Sequence, residues 1–334
     1  MVKKLLYQKG GSVMKKATKV WLITAAFLVL GGCSLFAGLM TALKWDFSKL
    51  STVGYETNKY EIGEAFGNIS FTDNTADIVF AMSEDGKCRV ECYEEENAKH
   101  SVSVKDDTLV IKTVDTKSWY DYIGFYFGSP KITVYLPETE YGTLYVCGDI
   151  GNIEIPKNIT FKSADISLST GNVDFFAAAQ ESVKIKTSTG NICVKDTSAG
   201  TLNLSVSTGT VTVSNLICSG DITVGVSTGE AGLTDISCQN IISSGSTGRI
   251  ALNRVIAENK LSVKRSTGDV KFNGCDAAEL FVKTSTGNVS GSLLTEKVFI
   301  TDTGTGSVDV PETAAGGRCE IRTATGDIKI KTEK

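Results

Sequence analysis

The sequence has one histidine and four prolines in 334 residues. With a single histidine, multi-histidine metal centres are excluded, and any Ser-His-Asp catalysis would have to use His100, which lies among charged residues at a strand start expected to be exposed. So few prolines exclude collagen-like and polyproline segments. Basic charge is not in excess either: 34 Lys and Arg stand against 38 Asp and Glu, a formal net charge of -4, so the footprint of nucleic-acid binding is missing. The nine cysteines form no C-x-x-C pair, and no nine-residue calcium repeat with its regular Asp occurs.

What is abundant is glycine, 33 residues of it, within an ordinary globular mixture of 41% hydrophobic and 22% charged residues. Many glycines with few prolines favour tight turns between strands over helix bundles.

The one long apolar run is Val20 to Leu43, preceded by Lys3, Lys4, Lys9, Lys15, Lys16 and Lys19. It is long enough for a bilayer core of about 30 Å and reads as a single transmembrane helix over 20–43, with residues 1–19 as a basic cytoplasmic tail and the bulk of the chain outside the cell. Met14 competes with Met1 as the start. A second reading treats "LGGCS" as a lipoprotein signal acylated at Cys33, against which "SLFAGLMTAL" stays apolar after that cysteine. Beyond the helix, Cys88 and Cys92 share a strand face, a hint of a metal or a disulfide; the plainer reading makes the cysteines small apolar fillers.

From residue 146 onward the chain repeats. The triplet Ser-Thr-Gly or a variant ends at Gly171, Gly190, Gly209, Gly229, Gly248, Gly268, Gly287, Gly306 and Gly326, in steps of 19 or 20 residues, with a degenerate copy at Gly151. Two and four residues after the glycine the positions are apolar (Val173 and Phe175, Ile192 and Val194, Val211 and Val213), as they are seven and five before it (Val183 and Ile185, Leu202 and Leu204). The Gly306 copy reads as slipped by one, using Val298 and Ile300, and the Gly248 copy reads as weak. Period-two alternation on both sides of a corner means two short half-buried strands per unit, which must stack to close a core. The fold class is therefore all-β: a single-stranded parallel β-solenoid, or β-helix, of about nine coils over 146–334.

The nine glycines are then structural corners that accept positive φ, with Asn or Asp at 172, 191, 269, 288 and 327 suiting the next position. A phosphate loop would need one glycine turn at a helix N-terminus, which neither the copy number nor the period fits. The invariant threonine before each glycine (Thr170, Thr189, Thr208 and onward) forms a row of hydroxyls, read mainly as bonding from coil to coil and otherwise as a contact surface for a regular polymer or ice.

Residues 44–60 read as a linker, and 61–145 as a β region without the 19-residue step that caps the solenoid. Within it "SWYDYIGFYFGSP" concentrates Trp119, Tyr120, Tyr122, Phe125, Tyr126 and Phe127, the one segment with the makings of a ligand surface or membrane foot, and otherwise a hairpin over the cap core. No long loop walls a cleft, as a polysaccharide-cleaving enzyme requires, and the carboxylates are scattered.

The repeats "DISLSTGNVDF", "IKTSTGNICV", "KRSTGDVKF" and "TATGDIKIK", with the "TADIVF" strand and "DDTLVIK" hairpin, resemble a bacterial family of candidate adhesins without established function that includes LiaG-like envelope proteins. The resemblance covers roughly residues 60 to 332. It implies a membrane-anchored cell-surface β-solenoid of Gram-positive bacteria, sometimes tied to envelope stress, and carries over no catalytic residue. The expected protein is a non-enzyme without cofactor, metal or evident small-molecule substrate, binding wall polymer, glycan or an envelope protein. The alternative is an accessory of envelope-stress signalling, and a polysaccharide-active enzyme is a remote third.

Overall fold

A computed structural model describes residues 16–50, 54–117 and 128–333. The chain forms two units. The first carries helix α1 (Lys16–Ala42), 27 residues and so about 40 Å long. Its hydroxyls bond back along the helix, Ser34 Oγ to the Leu30 carbonyl at 2.9 Å and Thr41 Oγ1 to that of Ala37 at 2.7 Å, so neither side chain calls for water. By length and composition α1 can cross a membrane, a criterion that a signal sequence also meets.

The second unit carries all the strands among the described residues and is a parallel β-solenoid of about 10 turns. Period two in the sequence becomes alternate burial along each strand: Ile192, Val194, Leu202 and Leu204 point inward and are at most 1% exposed. Equivalent residues of successive coils pair in register, Ile192 with Val211, Val211 with Ala231, Ala231 with Ile250, and the columns merge into one continuous core. Burying each such side chain contributes about 1.5–3 kcal/mol, which no isolated coil could achieve. The Gly248 copy is in phase, with Ile241 and Ser243 both buried.

Five successive coils have a second corner. Six residues after the glycine, Asp196, Asn215, Asp235 and Arg254 take positive φ of 50–54°, and Gly274 takes 57°. Asn and Asp adopt this conformation readily, which explains their fixed phase. Asp196 and Asp235 are thus corner residues whose side chains continue a ladder: Asn215 Nδ2 donates to Asp196 at 2.6 Å, and Arg254 grips Asp235 with two bonds of 2.5 and 2.7 Å.

The stacking departs from chain order at both ends. The coil ending at Gly326 inserts between those ending at Gly287 and Gly306: Leu280 pairs with Cys319 and Val282 with Ile321, and Phe299 then pairs with Cys319 from the other side. The inner coil buries Cys319, Ile321, Ile328 and Ile330, whereas the outer one offers Phe299, Thr301 and Thr303 inward. The two coils differ in polarity at one inward position, Ile321 against Thr301, and the coil with the aliphatic residue takes the place covered on both faces, because a buried Thr301 hydroxyl would need a partner. The Gly306 copy is accordingly not slipped. Val298 and Ile300, expected inside, are 37% and 43% exposed, because the terminal strand keeps the common phase and turns them to solvent beside Arg318 and Glu320; Val308 keeps the inward phase over Ile328 but is 44% exposed on the uncovered end coil.

At the other end the strands are β1 (Tyr55–Ile62), β2 (Asn68–Asp73), β3 (Asp77–Met82), β4 (Cys88–Glu95), β5 (Ala98–Lys105), β6 (Thr108–Asp115), β7 (Lys131–Leu136), β8 (Glu140–Ile150) and β9 (Ile153–Ile155). β2 lies between β6 and β8, and β3 between β7 and β9, all parallel, so part of the segment read as a cap is itself a coil. The antiparallel cap proper is β5 on β6 and the set β7, β4, β1. β1 begins at Tyr55, inside the stretch read as linker.

Candidate functional site

Three places on this frame are candidates for function. The first is the corner row. All nine predicted corner glycines have φ between 123 and 152°. They sit directly over one another: a Cβ on Gly209 would lie 1.8 Å from the Gly190 carbonyl oxygen, and one on Gly190 1.9 Å from that of Gly171. The corner is thus set by backbone approach, which leaves no gap between successive glycines.

The polar groups there are satisfied differently from expectation. Except in the end coil at Gly306, each corner glycine N–H donates to the threonine carbonyl of a neighbouring coil, as Gly190 does to Thr208 at 3.0 Å. Asn and Asp side chains accept the next N–H, as Asn172 does from Asn191 at 2.9 Å, and buried Thr187, Thr284 and Thr323 cover glycine carbonyls. Because these groups complete the corner, the hydroxyls of Thr170, Thr189, Thr208, Thr228, Thr247, Thr267, Thr286, Thr305 and Thr325 are exposed and make no hydrogen bond within the described residues, so the expected coil-to-coil bonding of that row does not occur. The serines at 188, 207, 227, 246, 266 and 285 flank them and are exposed as well.

The second place is a cleft of about 720 Å³ where the end of β1 meets the turns after β3 and β7. Glu61, Glu64, Asp85 and Arg89 line it together with Phe66 and Tyr141, whose rings stack at 5.9 Å. The six aromatic residues Trp119, Tyr120, Tyr122, Phe125, Tyr126 and Phe127, the predicted ligand segment, lie outside the described residues.

The third place overturns an expectation. His100, predicted at an exposed strand start, is 5% exposed, because β5 pairs with β6 and turns its ring into the cap. Its Nε2 lies 2.8 Å from Asp73 Oδ1 on β2, and its Nδ1 lies 2.6 Å from Glu94 Oε2 on β4. Both carboxylates are buried. Asp73 also accepts the Ala76 N–H at 2.5 Å and the Thr113 hydroxyl; Glu94 accepts Asn58 Nδ2 at 2.7 Å and the His100 N–H at 2.5 Å. Tyr60 donates to the His100 carbonyl at 3.0 Å.

Burial by itself would lower the His100 pKa, but hydrogen bonds to Asp73 and Glu94, and their charges, hold it above its ordinary value. For Asp73 burial acts upward, and the bonds from His100, Thr113 and Ala76 outweigh it and lower the pKa. Both shifts favour the charged forms of His100 and Asp73. Among the described residues the one hydroxyl near the ring, that of Thr113 at 3.4 Å from Nε2, donates to Asp73, and the group fastens β2, β4, β5 and β6 together. Cys92 completes the surroundings: its Sγ, a Glu94 carboxylate oxygen and a His100 ring nitrogen lie within 4.8 Å of one another, all three residues buried. Sequence spacing could not reveal the group, since Asp73 stands 27 residues from His100. The Glu-Glu-Asn-Ala turn between Glu94 and His100 was the one local clue.

Parallel coils with stacked glycine corners and an antiparallel cap define a β-solenoid protein, which here also carries one helix apolar enough to span a membrane. A family model described as Toastrack DUF4097 matches residues 66–230 and 217–334, and the chain belongs to that family. Similar solved structures include a candidate adhesin from Bacteroides fragilis, 16% identical over 83% of this chain and 97% of that one, with a TM-score of 0.41. Another is a candidate lipid-binding protein from Parabacteroides distasonis, 18% identical over 84% and 98%, with a TM-score of 0.46. A third, a candidate adhesin from Parabacteroides merdae, is 15% identical over 83% and 96%, with a TM-score of 0.42. No curated protein matches the chain.

Proposed function

We propose that the protein is a non-enzymatic surface scaffold, held in the membrane by α1 with the solenoid outside the cell, and that the solenoid binds a regular wall polymer or glycan along its corner row. The observation that carries this reading is the line of exposed threonine hydroxyls that the fold itself leaves unbonded. Coils about 4.8 Å apart present these donors and acceptors at a fixed repeat, which a polymer of regular hydroxyl or amide spacing can match over many units. Each contact is small, about 0.5–1.5 kcal/mol, so affinity comes from the number of coils engaged.

The test is co-sedimentation of the full chain, in detergent, with purified wall polysaccharide, for wild type and for the combined Thr208→Val, Thr228→Val and Thr247→Val variant. Valine keeps the shape and removes the hydroxyl. Binding should weaken by about tenfold or more with the circular dichroism of the strands unchanged. Equal binding by both proteins would reject the row as the contact surface. If neither protein binds the polymer and both co-purify one membrane protein, the scaffold serves envelope-stress signalling instead.

A further inference from the structure

We propose that Cys92, Glu94 and His100 form a zinc site inside the cap, with Asp73 orienting the imidazole from behind. The donor set is the argument. A thiol, a carboxylate and an imidazole from two adjacent strands converge with their ligand atoms within 4.8 Å of one another, and no solvent competes for them. Sulfur, nitrogen and oxygen donors in one tetrahedral site suit zinc.

The geometry around the ring agrees. A metal-binding histidine almost always offers its other nitrogen to a carboxylate, which fixes tautomer and orientation. Here Nε2 faces Asp73 at 2.8 Å and Nδ1 faces Glu94 at 2.6 Å, with the Cys92 thiol in the same cluster. Asp73 is in turn held by the Ala76 N–H and the Thr113 hydroxyl, and Glu94 by Asn58. Bonds of about 2.0–2.3 Å put tetrahedral ligands roughly 3.3–3.8 Å apart. Glu94 Oε2 therefore has to withdraw by under about 1.2 Å from its present 2.6 Å contact with Nδ1. The same oxygen accepts the His100 N–H at 2.5 Å, so the carboxylate has to turn while Oε1 stays with Asn58 and the bond from the His100 N–H lengthens.

Charge balances as well. Without metal the group holds an imidazolium, two carboxylates and a neutral thiol. Zinc entry forms bonds to Sγ, the Glu94 carboxylate and Nδ1 and releases one proton from Sγ and one from Nδ1. The dication with a thiolate, two carboxylates and a neutral ring leaves the buried net charge as it was. The remaining coordination position falls to the second Glu94 oxygen or to water. Such a site would lock β4 and β5, and through Asp73 the first coil, into one body.

The experiment uses the detergent-solubilised full chain, stripped with chelator and titrated with Co²⁺ as the probe, followed by displacement with Zn²⁺. The expected result is one equivalent of metal, a sulfur-to-cobalt charge-transfer band, and loss of that band in Cys92→Ala with at least tenfold weaker binding. Asp73→Asn should keep the band and bind about 10–100-fold more weakly. Should Cys92→Ala fail to fold, Cys92→Ser supplies the same comparison. The proposal is overturned if the wild type takes up no Co²⁺, or if the band persists undiminished once Cys92 is replaced.

Discussion

Gly209→Ala separates a corner that the backbone requires from a loop that a ligand requires. Gly209 has φ of 147°, in a region that residues with a Cβ avoid at a cost of about 1–3 kcal/mol. A methyl there would sit 1.8 Å from the Gly190 carbonyl oxygen and 2.8 Å from its carbon, both backbone atoms of the next coil. Neither can swing aside as a side chain would, so two coils must part by more than 1 Å locally, disturbing bonds such as Gly190 N–H to Thr208. Strain and clash together should exceed about 3 kcal/mol. Gly232→Ala is the control: nothing lies within 4 Å of its added Cβ and its φ is ordinary, so the change should fall within about 1 kcal/mol of neutral and can stabilise. In hydrogen exchange of the detergent-solubilised chain, amides of Val206 and Val211 should lose about 100-fold in protection in Gly209→Ala, since about 1.4 kcal/mol corresponds to a factor of ten. Similar protection in the two variants would refute the stacked-corner account.

The buried network makes cap stability depend on pH. His100 has a raised pKa, so its contribution is complete below its ordinary value of 6.5 and is lost as pH climbs through the raised folded value; Asp73 has a lowered pKa, so its contribution is complete above 3.8 and is lost as pH falls through the lowered one. In chelator, the melting temperature should therefore be highest between about pH 4 and 6.5, and His100→Gln should flatten the alkaline decline; an identical alkaline slope in the variant would count against the network. Removing His100 leaves two buried carboxylates unpaired, with an expected cost of about 3–5 kcal/mol, measurable by urea titration. Truncation after residue 316 removes the inserted coil and with it the platform for Lys297–Thr305. Amides in that strand should then exchange much faster, by 100-fold or more, unless it re-stacks on residues 280–286; native-like protection there without restacking would contradict the inserted order.

The solenoid was legible because its determinants are local and repeated. Alternation of period two around Ile192 and Val211, and a glycine every 19 or 20 residues, can be satisfied only by stacking equivalent coils, since each coil alone leaves one apolar face in water. The second corner was legible in principle, as Asp196, Asn215 and Asp235 keep a fixed phase, but without a glycine marking it the acids looked scattered. The threonine row was visible in the sequence, yet its hydroxyls' freedom was not, because that depends on Thr187 and Asn172 having already satisfied the corner from neighbouring positions.

Coil order and the His100 network belong to the tertiary structure. Coils of one register are geometrically interchangeable, so which of them stands outermost is settled by comparing inner faces: Thr301 tolerates an open end, where Ile321 at the same position would forfeit burial. His100, Glu94 and Asp73 come from three strands, and only the pairing of the cap decides that they meet. Short-range periodicity dictates what each coil must bury; which coil covers which, and which charges are enclosed together, is a global minimisation of exposed apolar surface that no window of residues contains.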